Sequence, residues 1–215
     1  MADINKLREN LENFGYKVSY YETGAEAAAA IAGALHGTTV GIGGSKTVEA
    51  LGLYDLLSKD NQVFWHWKQP VAEARANSQA AAVYLTSANA VAETGEILNI
   101  DGDGNRLAAS TYGKDKVYII IGVNKITPDY ESALYRARNV AAPLNARRLN
   151  RKTPCAMGEE VKCYNCSSPD RICHGLSVFW RKMNGVQECE VVIINEELGY
   201  KIPVIKQQKR SFLGE

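Results

Sequence analysis

Apolar residues along the chain follow two spacings, one typical of helices and one typical of strands. Over residues 4–14 they recur every three or four positions, as in an amphipathic helix that Gly15 can end. Short continuous apolar runs, such as residues 117–123, instead predict strands buried on both faces. The pattern predicts helices at 4–14, 25–35, from 45 onward, 71–76 and 129–139, and strands at 17–21, 38–42, 63–67, 80–85, 117–123 and 190–195. This alternation predicts an α/β fold with a mostly parallel, layered sheet.

An acidic, glycine-rich turn at residues 101–105 interrupts this pattern. It separates two β-prone stretches within residues 96–110, which predicts a hairpin. The first residues of the turn match the opening of a calcium-binding loop. However, Arg106 stands where that loop needs glycine, and Tyr112 stands where it needs a bidentate glutamate. The sequence therefore predicts a hairpin turn here and no calcium site.

Composition narrows the range of partners and locations. The 215 residues carry a net charge of +1, which gives no support to nucleic-acid binding. The longest apolar runs, about 6 to 9 residues, are too short to span a bilayer. No basic segment followed by an apolar run opens the chain, so we expect a cytoplasmic protein. We expect a main α/β domain at 1–150, a cysteine module at 151–176, and a strand segment at 177–205 that returns to the main sheet.

Four of the five cysteines, Cys155, Cys163, Cys166 and Cys173, lie within about 19 residues. Structural disulfides are rare in the cytoplasm, so this spacing favours a metal or cluster site. Four thiolates, of which Cys163 and Cys166 form a close pair, suit a [4Fe–4S] cluster. Zinc is the alternative, and unliganded thiols are a third interpretation. Cys189 stands in strand-like sequence and is expected to be a small buried hydrophobic residue.

Residues 41–47 form a glycine-rich connection between a predicted strand and a predicted helix. Backbone N–H groups in such a connection can bind phosphate or carboxylate, so Gly43, Gly44, Ser45 and Thr47 are candidate substrate-binding residues. The segment matches neither the Walker A loop nor the dinucleotide fingerprint. A glycine turn needed only for tight packing is the alternative.

Polar residues also follow two other predicted strands, at the positions where open α/β sheets usually bind ligands. Glu93 is a candidate general base, and Lys125 is a candidate electrophile or anion partner. Their neighbours Thr94 and Asn124 are candidate substrate contacts. His66, which lies between two tryptophans, is more typical of a packed or surface histidine.

Taken together, these segments resemble the lactate-utilisation (LUD) domain family, in its stand-alone branch with a four-cysteine module. The resemblance rests on residues 41–51, 94–96, 101–106, 122–125, 142–146, 153–173 and 196–200. It implies a fold like that of ribose-phosphate isomerase, glucosamine-phosphate deaminase and the CoA-transferases. If the topology is shared, one cleft gathers Glu93, Thr94, Asp101, Asn105, Arg106, Asn124 and Lys125.

The resemblance implies an iron–sulfur protein that oxidises or otherwise transforms a small hydroxy-acid or a related anionic substrate. Such a protein would be an oxidoreductase or a lyase. In this picture the glycine-rich connection holds the anionic end of the substrate, and Arg106 and Lys125 supply positive charge. One alternative is a non-catalytic, metal-stabilised subunit that docks onto oxidoreductase partners. Another is a zinc-stabilised isomerase or hydrolase, and homo-oligomers are compatible with all three.

Overall fold

The computed structural model describes residues 2–201, whose strands form two sheets. The strands are β1 (Lys17–Tyr21), β2 (Thr39–Ile42), β3 (Gln62–Trp65), β4 (Val83–Thr86), β5 (Ala90–Ala92), β6 (Ile97–Asp101), β7 (Lys114–Gly122), β8 (Ile126–Thr127), β9 (Gly175–Phe179) and β10 (Val186–Ile194). The main sheet has the order β1-β10-β7-β4-β2-β3, and all its neighbours are parallel. The α/β fold with a mostly parallel sheet is therefore confirmed.

Helices connect the strands and cover both faces of the main sheet. They are α1 (Ile4–Asn13), α2 (Gly24–Gly33), α3 (Lys46–Ala50), α4 (Leu53–Leu57), α5 (Val71–Ala80), α6 (Asn105–Thr111), α7 (Tyr130–Arg136), α8 (Ala142–Arg148) and α9 (Pro154–Met157). A π-helical turn, Ala137–Ala141, joins α7 to α8. Side-chain caps begin several of these helices, because Thr23 and Ser45 accept hydrogen bonds from backbone N–H groups in the first turns of α2 and α3.

The two faces of the main sheet hold separate hydrophobic cores. Ile120 and Val192 pack with residues of α2, α3 and α4 on one face. Their chain neighbours Ile119 and Val191 pack with residues of α1 and α6 on the other. Since successive strand residues point to opposite faces, a strand buried on both faces must be apolar throughout. Such runs made β7 and β10 predictable from the sequence.

The hairpin predicted over residues 96–110 is wrong. Only β6 forms there, and it pairs antiparallel with β5 before it and with β9 far along the chain, while α6 follows it. The carboxylate of Asp101 accepts hydrogen bonds from the backbone N–H groups of Gly102 and Leu107. Gly104 has φ +78°, which turns the chain directly into the helix. The acidic turn thus begins a helix because its own side chain binds the first helical turn.

The cysteine-containing stretch has little regular structure between α9 and β9. After it, β9 joins the smaller sheet, whose order is β8-β5-β6-β9, and β10 lies inside the main sheet. Residues 202–205 of the predicted C-terminal segment lie outside the described residues. No helix within residues 2–201 has the length and apolar character needed to cross a membrane.

Candidate anion-binding cleft

A cleft of about 330 Å³ opens at the carboxyl ends of four neighbouring strands of the main sheet. Lys125 follows β7, Ser87 follows β4, Ser45 follows β2 and His66 follows β3, and all four residues line the cleft. In parallel sheets, ligands bind outside these strand ends, where loops from separate strands converge. The topology therefore brings together side chains that lie far apart in the sequence.

Positive charge dominates the lining of the cleft. Among the described residues, the lysines and arginines that line it are Lys46, Arg75, Arg106, Lys125, Arg148, Arg151 and Arg171, and the carboxylates that line it are Asp101 and Asp103. Both carboxylates already have arginine partners, since Asp103 pairs with Arg75 at 2.5 Å and Asp101 lies 3.6 Å from Arg106. The remaining charge suits a small anionic ligand, because a concave, partly desolvated surface strengthens attraction between opposite charges.

Lys125 lies at the bottom of this cleft and is 6% exposed. Its Nζ donates hydrogen bonds to Thr47 Oγ1 at 2.7 Å and to Ser87 Oγ at 2.6 Å. Burial, together with the like charges of Arg136 and Arg106, lowers the pKa of Lys125 well below its usual value. An amine held in this way can act as a nucleophile or a base as well as a hydrogen-bond donor.

An aromatic and cationic cluster forms another part of the lining. The Arg148 guanidinium lies 4.9 Å from the ring centre of Trp67, and the same arginine donates from Nε to Tyr200 Oη at 2.8 Å. Tyr200 Oη in turn donates to Asn145 Oδ1 at 2.8 Å. These contacts fix the direction of Arg148, which leaves a pre-oriented positive group on the cleft surface.

His66 faces the same space. Burial lowers its pKa below the usual histidine value, and the nearby charges of Arg75 and Arg106 act in the same direction, against the smaller opposite effect of Asp103. The imidazole is therefore neutral at neutral pH and can accept a proton from a bound ligand.

A buried arginine holds the base of the cleft together. Arg136 is 4% exposed, and its guanidinium donates to the backbone carbonyls of Asn124, Asn89 and Tyr200. Burial lowers its pKa to about 10, so it stays charged at neutral pH. The Asn124 side chain adds contacts to the same C-terminal segment, since it binds the backbone of Leu198 and Tyr200. Two strand ends and residues 196–200 are thereby joined behind Lys125.

The cysteine-containing stretch supplies one wall of the cleft. Arg171, Ile172 and His174 line it, and the Ile172 carbonyl lies so near Gly102 that a Cβ there would approach it to 2.7 Å. Arg171 also fixes this stretch internally, because it donates to the carbonyls of Cys166 and Cys173 at 2.7 and 2.9 Å. The wall and the cysteines therefore belong to the same piece of chain.

The four clustered cysteines are unpaired thiols of intermediate exposure, whereas Cys189 is buried. Four free thiols in one short segment are a donor set that suits iron–sulfur clusters or zinc. Within residues 2–201, however, no group of three or more histidine, cysteine, aspartate or glutamate side chains is arranged to hold a metal ion. The donor chemistry fits a metal, while the positions of the thiols do not form a ligand set.

The sequence-predicted site residues divide into two groups. Those that line the cleft are Gly44, Ser45, Thr47, Asp101, Asn105, Arg106 and Lys125. Those outside the lining are Gly43, Glu93, Thr94 and Asn124.

Contacts within the protein occupy Glu93 and Thr94. Glu93 accepts from the backbone N–H of Asp3 at 2.9 Å and lies 3.5 Å from Lys6, so it binds the start of α1. Thr94 donates to the Glu96 carboxylate. A role for Glu93 as a base stays a prediction from the sequence.

Several residues of the lining are not among the candidates that the sequence pattern indicates, including Trp67, Ser87, Arg148 and Tyr200. The sequence favours a packed or surface histidine at His66, whereas the structure places it in the lining. The sequence could have indicated two of these residues as site candidates, because His66 and Ser87 directly follow parallel strands. Arg148 and Tyr200 carry no such signal, since their placement depends on how α8 and the C-terminal segment pack.

Comparison with known proteins agrees with this architecture. A DUF162 family protein from Deinococcus radiodurans has a similar structure, with a TM-score of 0.54 and 15% sequence identity over 89% of this chain and 96% of that chain. No curated protein matches the sequence. The family model for the LUD domain matches residues 4–194, which is most of the chain. The chain therefore belongs to the LUD domain family.

Proposed function

We propose that this cleft binds a small carboxylate or phosphorylated hydroxy-acid and that the protein transforms it in lactate-utilisation-type metabolism. The observation that carries the proposal is the excess of lysine and arginine over carboxylate in the lining, at the strand ends where such sheets bind ligands. Membership of the LUD domain family supports a substrate related to lactate.

The proposed roles follow from the contacts of each side chain. Arg148 is held by Tyr200 and Trp67 and binds the anionic end of the substrate. Lys125 lies deeper and contacts the carbon centre that reacts. His66, with its lowered pKa, exchanges a proton with the substrate hydroxyl.

We also propose that the four clustered cysteines bind an iron–sulfur cluster, with zinc as the alternative. Their free thiols and close sequence spacing support this, although a ligand set requires the segment to rearrange. A bound cluster would supply electron transfer, which oxidation of a hydroxy-acid requires, and partner oxidoreductase subunits would accept the electrons.

A second candidate function needs no redox partner. Lys125 is a buried amine whose pKa is lowered within the cleft, a device that suits isomerase or lyase chemistry on carbonyl compounds. In that case a metal at the cysteines would stabilise the wall of the cleft and leave the reaction to its other residues.

Arg148→Gln tests anion binding. Loss of one oriented charge should raise the Kd for inorganic phosphate or L-lactate by about tenfold, and added salt should weaken binding to the unaltered protein. Isothermal titration calorimetry measures both effects. Arg181→Gln is the matched control, since Arg181 is exposed and outside the cleft lining. Equal affinities in all three proteins would contradict the proposed site.

Metal analysis after anaerobic purification tests the cysteine proposal. We expect iron and acid-labile sulfide in the protein, with broad absorbance near ~400 nm. Cys166→Ser should lose most of the metal, whereas Cys189→Ser should retain it because Cys189 is buried in the main-sheet core. Zinc without iron would select the alternative, and protein free of both metals would exclude a resident metal under these conditions.

A further inference from the structure

Among residues 2–201, Lys125 Nζ has two hydrogen-bond partners, which leaves one position on its nitrogen, a lone pair or a third N–H, without a partner. Ser87 Oγ donates its own hydrogen to the Ile120 carbonyl, so it can only accept from Lys125 Nζ. Thr47 Oγ1 is the second partner. No carboxylate lies within 4 Å of Nζ among the described residues, so no fixed anion stabilises a charged ammonium there. Since Lys125 lines the cleft, a bound ligand can reach the free position on this nitrogen.

A second buried lysine shows the contrasting arrangement. Lys114 is 2% exposed, and its Nζ donates to the backbone carbonyls of Ser78, Gln79 and Ala81. Those partners satisfy all three N–H groups of an ammonium, and Lys114 does not line the cleft. The fold therefore holds one lysine as a structural cation and leaves the other incompletely bound beside a ligand cavity.

From this geometry we infer that Lys125 forms an imine with the carbonyl carbon of a small 2-oxo acid, whose carboxylate binds the cationic lining of the cleft. The inference deepens the proposed function and rests on it. A 2-oxo acid is also the oxidation product of a 2-hydroxy-acid, so the two substrate classes share size and charge.

The reaction is balanced without any further reactant. The lone pair of the amine adds to the carbonyl carbon, and a proton moves from nitrogen to the former carbonyl oxygen. That oxygen then takes the second proton of the amine and leaves as water, and a C=N bond replaces C=O. The Thr47 hydroxyl lies 2.7 Å from the nitrogen and can relay these protons, whereas the hydrogen of Ser87 Oγ is bound to the Ile120 carbonyl.

The imine would extend the chemistry of the cleft to the carbon next to the carbonyl. A protonated imine withdraws electrons more strongly than a ketone, so a neighbouring C–H or C–C bond breaks more readily. The reaction class is therefore proton exchange, carbon–carbon cleavage or carbon–carbon formation beside a 2-oxo acid. Residues that already carry charge in the cleft, such as Arg148, would hold the carboxylate during this step.

Reductive trapping tests the inference. The 215-residue protein is incubated with pyruvate and cyanoborohydride, and the modified lysines are mapped by peptide mass spectrometry. We expect one dominant reduced adduct at Lys125 and none at Lys114, which serves as the buried control in the same sample. Acetone, an uncharged carbonyl compound of similar size, should label Lys125 at least tenfold less because it lacks the carboxylate.

Lys125→Met gives the second measurement, since methionine fills a similar volume and removes the nucleophilic amine. It should lose the dominant adduct, and a circular dichroism spectrum and Tm like those of the unaltered protein would show that the fold survives. Adducts spread over exposed lysines, with the same pattern in the variant, would overturn the inference. Phosphate binding without any adduct at Lys125 would overturn the imine alone, whereas failure of both phosphate and lactate to bind would contradict the proposed function as well.

Discussion

Arg136→Met should lower the free energy of unfolding by about 3 kcal/mol or more. The guanidinium of Arg136 donates to three backbone carbonyls, at 2.9 Å to Asn124 and to Tyr200 and also to Asn89. Methionine fills similar volume but donates nothing, so three buried carbonyls lose a charged partner. Hydrogen bonds to charged groups contribute about 1.5–3 kcal/mol each, and such losses are not additive. Urea denaturation measures the change.

Arg138→Met is the matched control, because Arg138 lies two residues away, and its side-chain hydrogen bonds within the described part of the chain are long, at 3.5 Å to Asn165 and 3.9 Å to Cys163. Its free energy of unfolding should change by less than about 0.5 kcal/mol. Arg136→Lys should fall between the two, since an ammonium keeps the charge but cannot span three carbonyls in a plane. Similar stability of Arg136→Met and Arg138→Met would show that Arg136 does not hold the cleft together.

Gly122→Ala should destabilise the protein by about 1–3 kcal/mol. A Cβ at Gly122 would overlap the Glu196 carbonyl and approach the Leu198 nitrogen to 2.7 Å, and both are backbone atoms that cannot rotate away. The added carbon would push residues 196–200 away from the end of β7. We therefore expect a lower Tm together with weaker phosphate binding, because Tyr200 and Lys125 lie at that junction.

Gly33→Ala, unlike Gly122→Ala, should not lower the stability of the protein. Gly33 is the last residue of α2, and a Cβ there would meet nothing within 4 Å. Alanine is also the better helix former, so stability should stay unchanged or rise by up to about 1 kcal/mol. Thermal unfolding of both variants separates a steric cost at Gly122 from a general cost of replacing glycine. Equal destabilisation would contradict the proposed overlap.

The main sheet was predictable because its strands carry strong local signals. Val117 to Val123 and Val191 to Ile194 are apolar runs, as strands covered on both faces must be. Ser45 was equally readable, since its side chain caps α3 as the residue type and position indicate. The smaller sheet was not predictable, because β6 finds its partner β9 across about 75 residues that contain other elements.

The sequence predicts the location of the site but not all of the residues that line it. Strand ends identified Lys125 and the glycine-rich connection, and both do line the cleft. Glu93 also follows a strand, but that strand, β5, belongs to the smaller sheet, and the side chain turns towards α1. No local sequence pattern shows that Lys125 lines the cleft while Glu93 turns away from it. The cationic lining is likewise assembled from α5, α6, α8 and the cysteine-containing stretch, which only tertiary packing brings together.

The order of strands has a consequence for how the chain folds during synthesis. Among the described residues β1 pairs with one strand, β10, which also joins it to β7. The ribosome makes β1 before β10, the strand that pairs with it, which ends at Ile194. Until β10 is made, β1 has no strand to pair with among the described residues. Folding should therefore finish only after β10 has left the ribosome. A nascent chain stalled before that point would expose apolar surface and unpaired strand edges, which chaperones recognise.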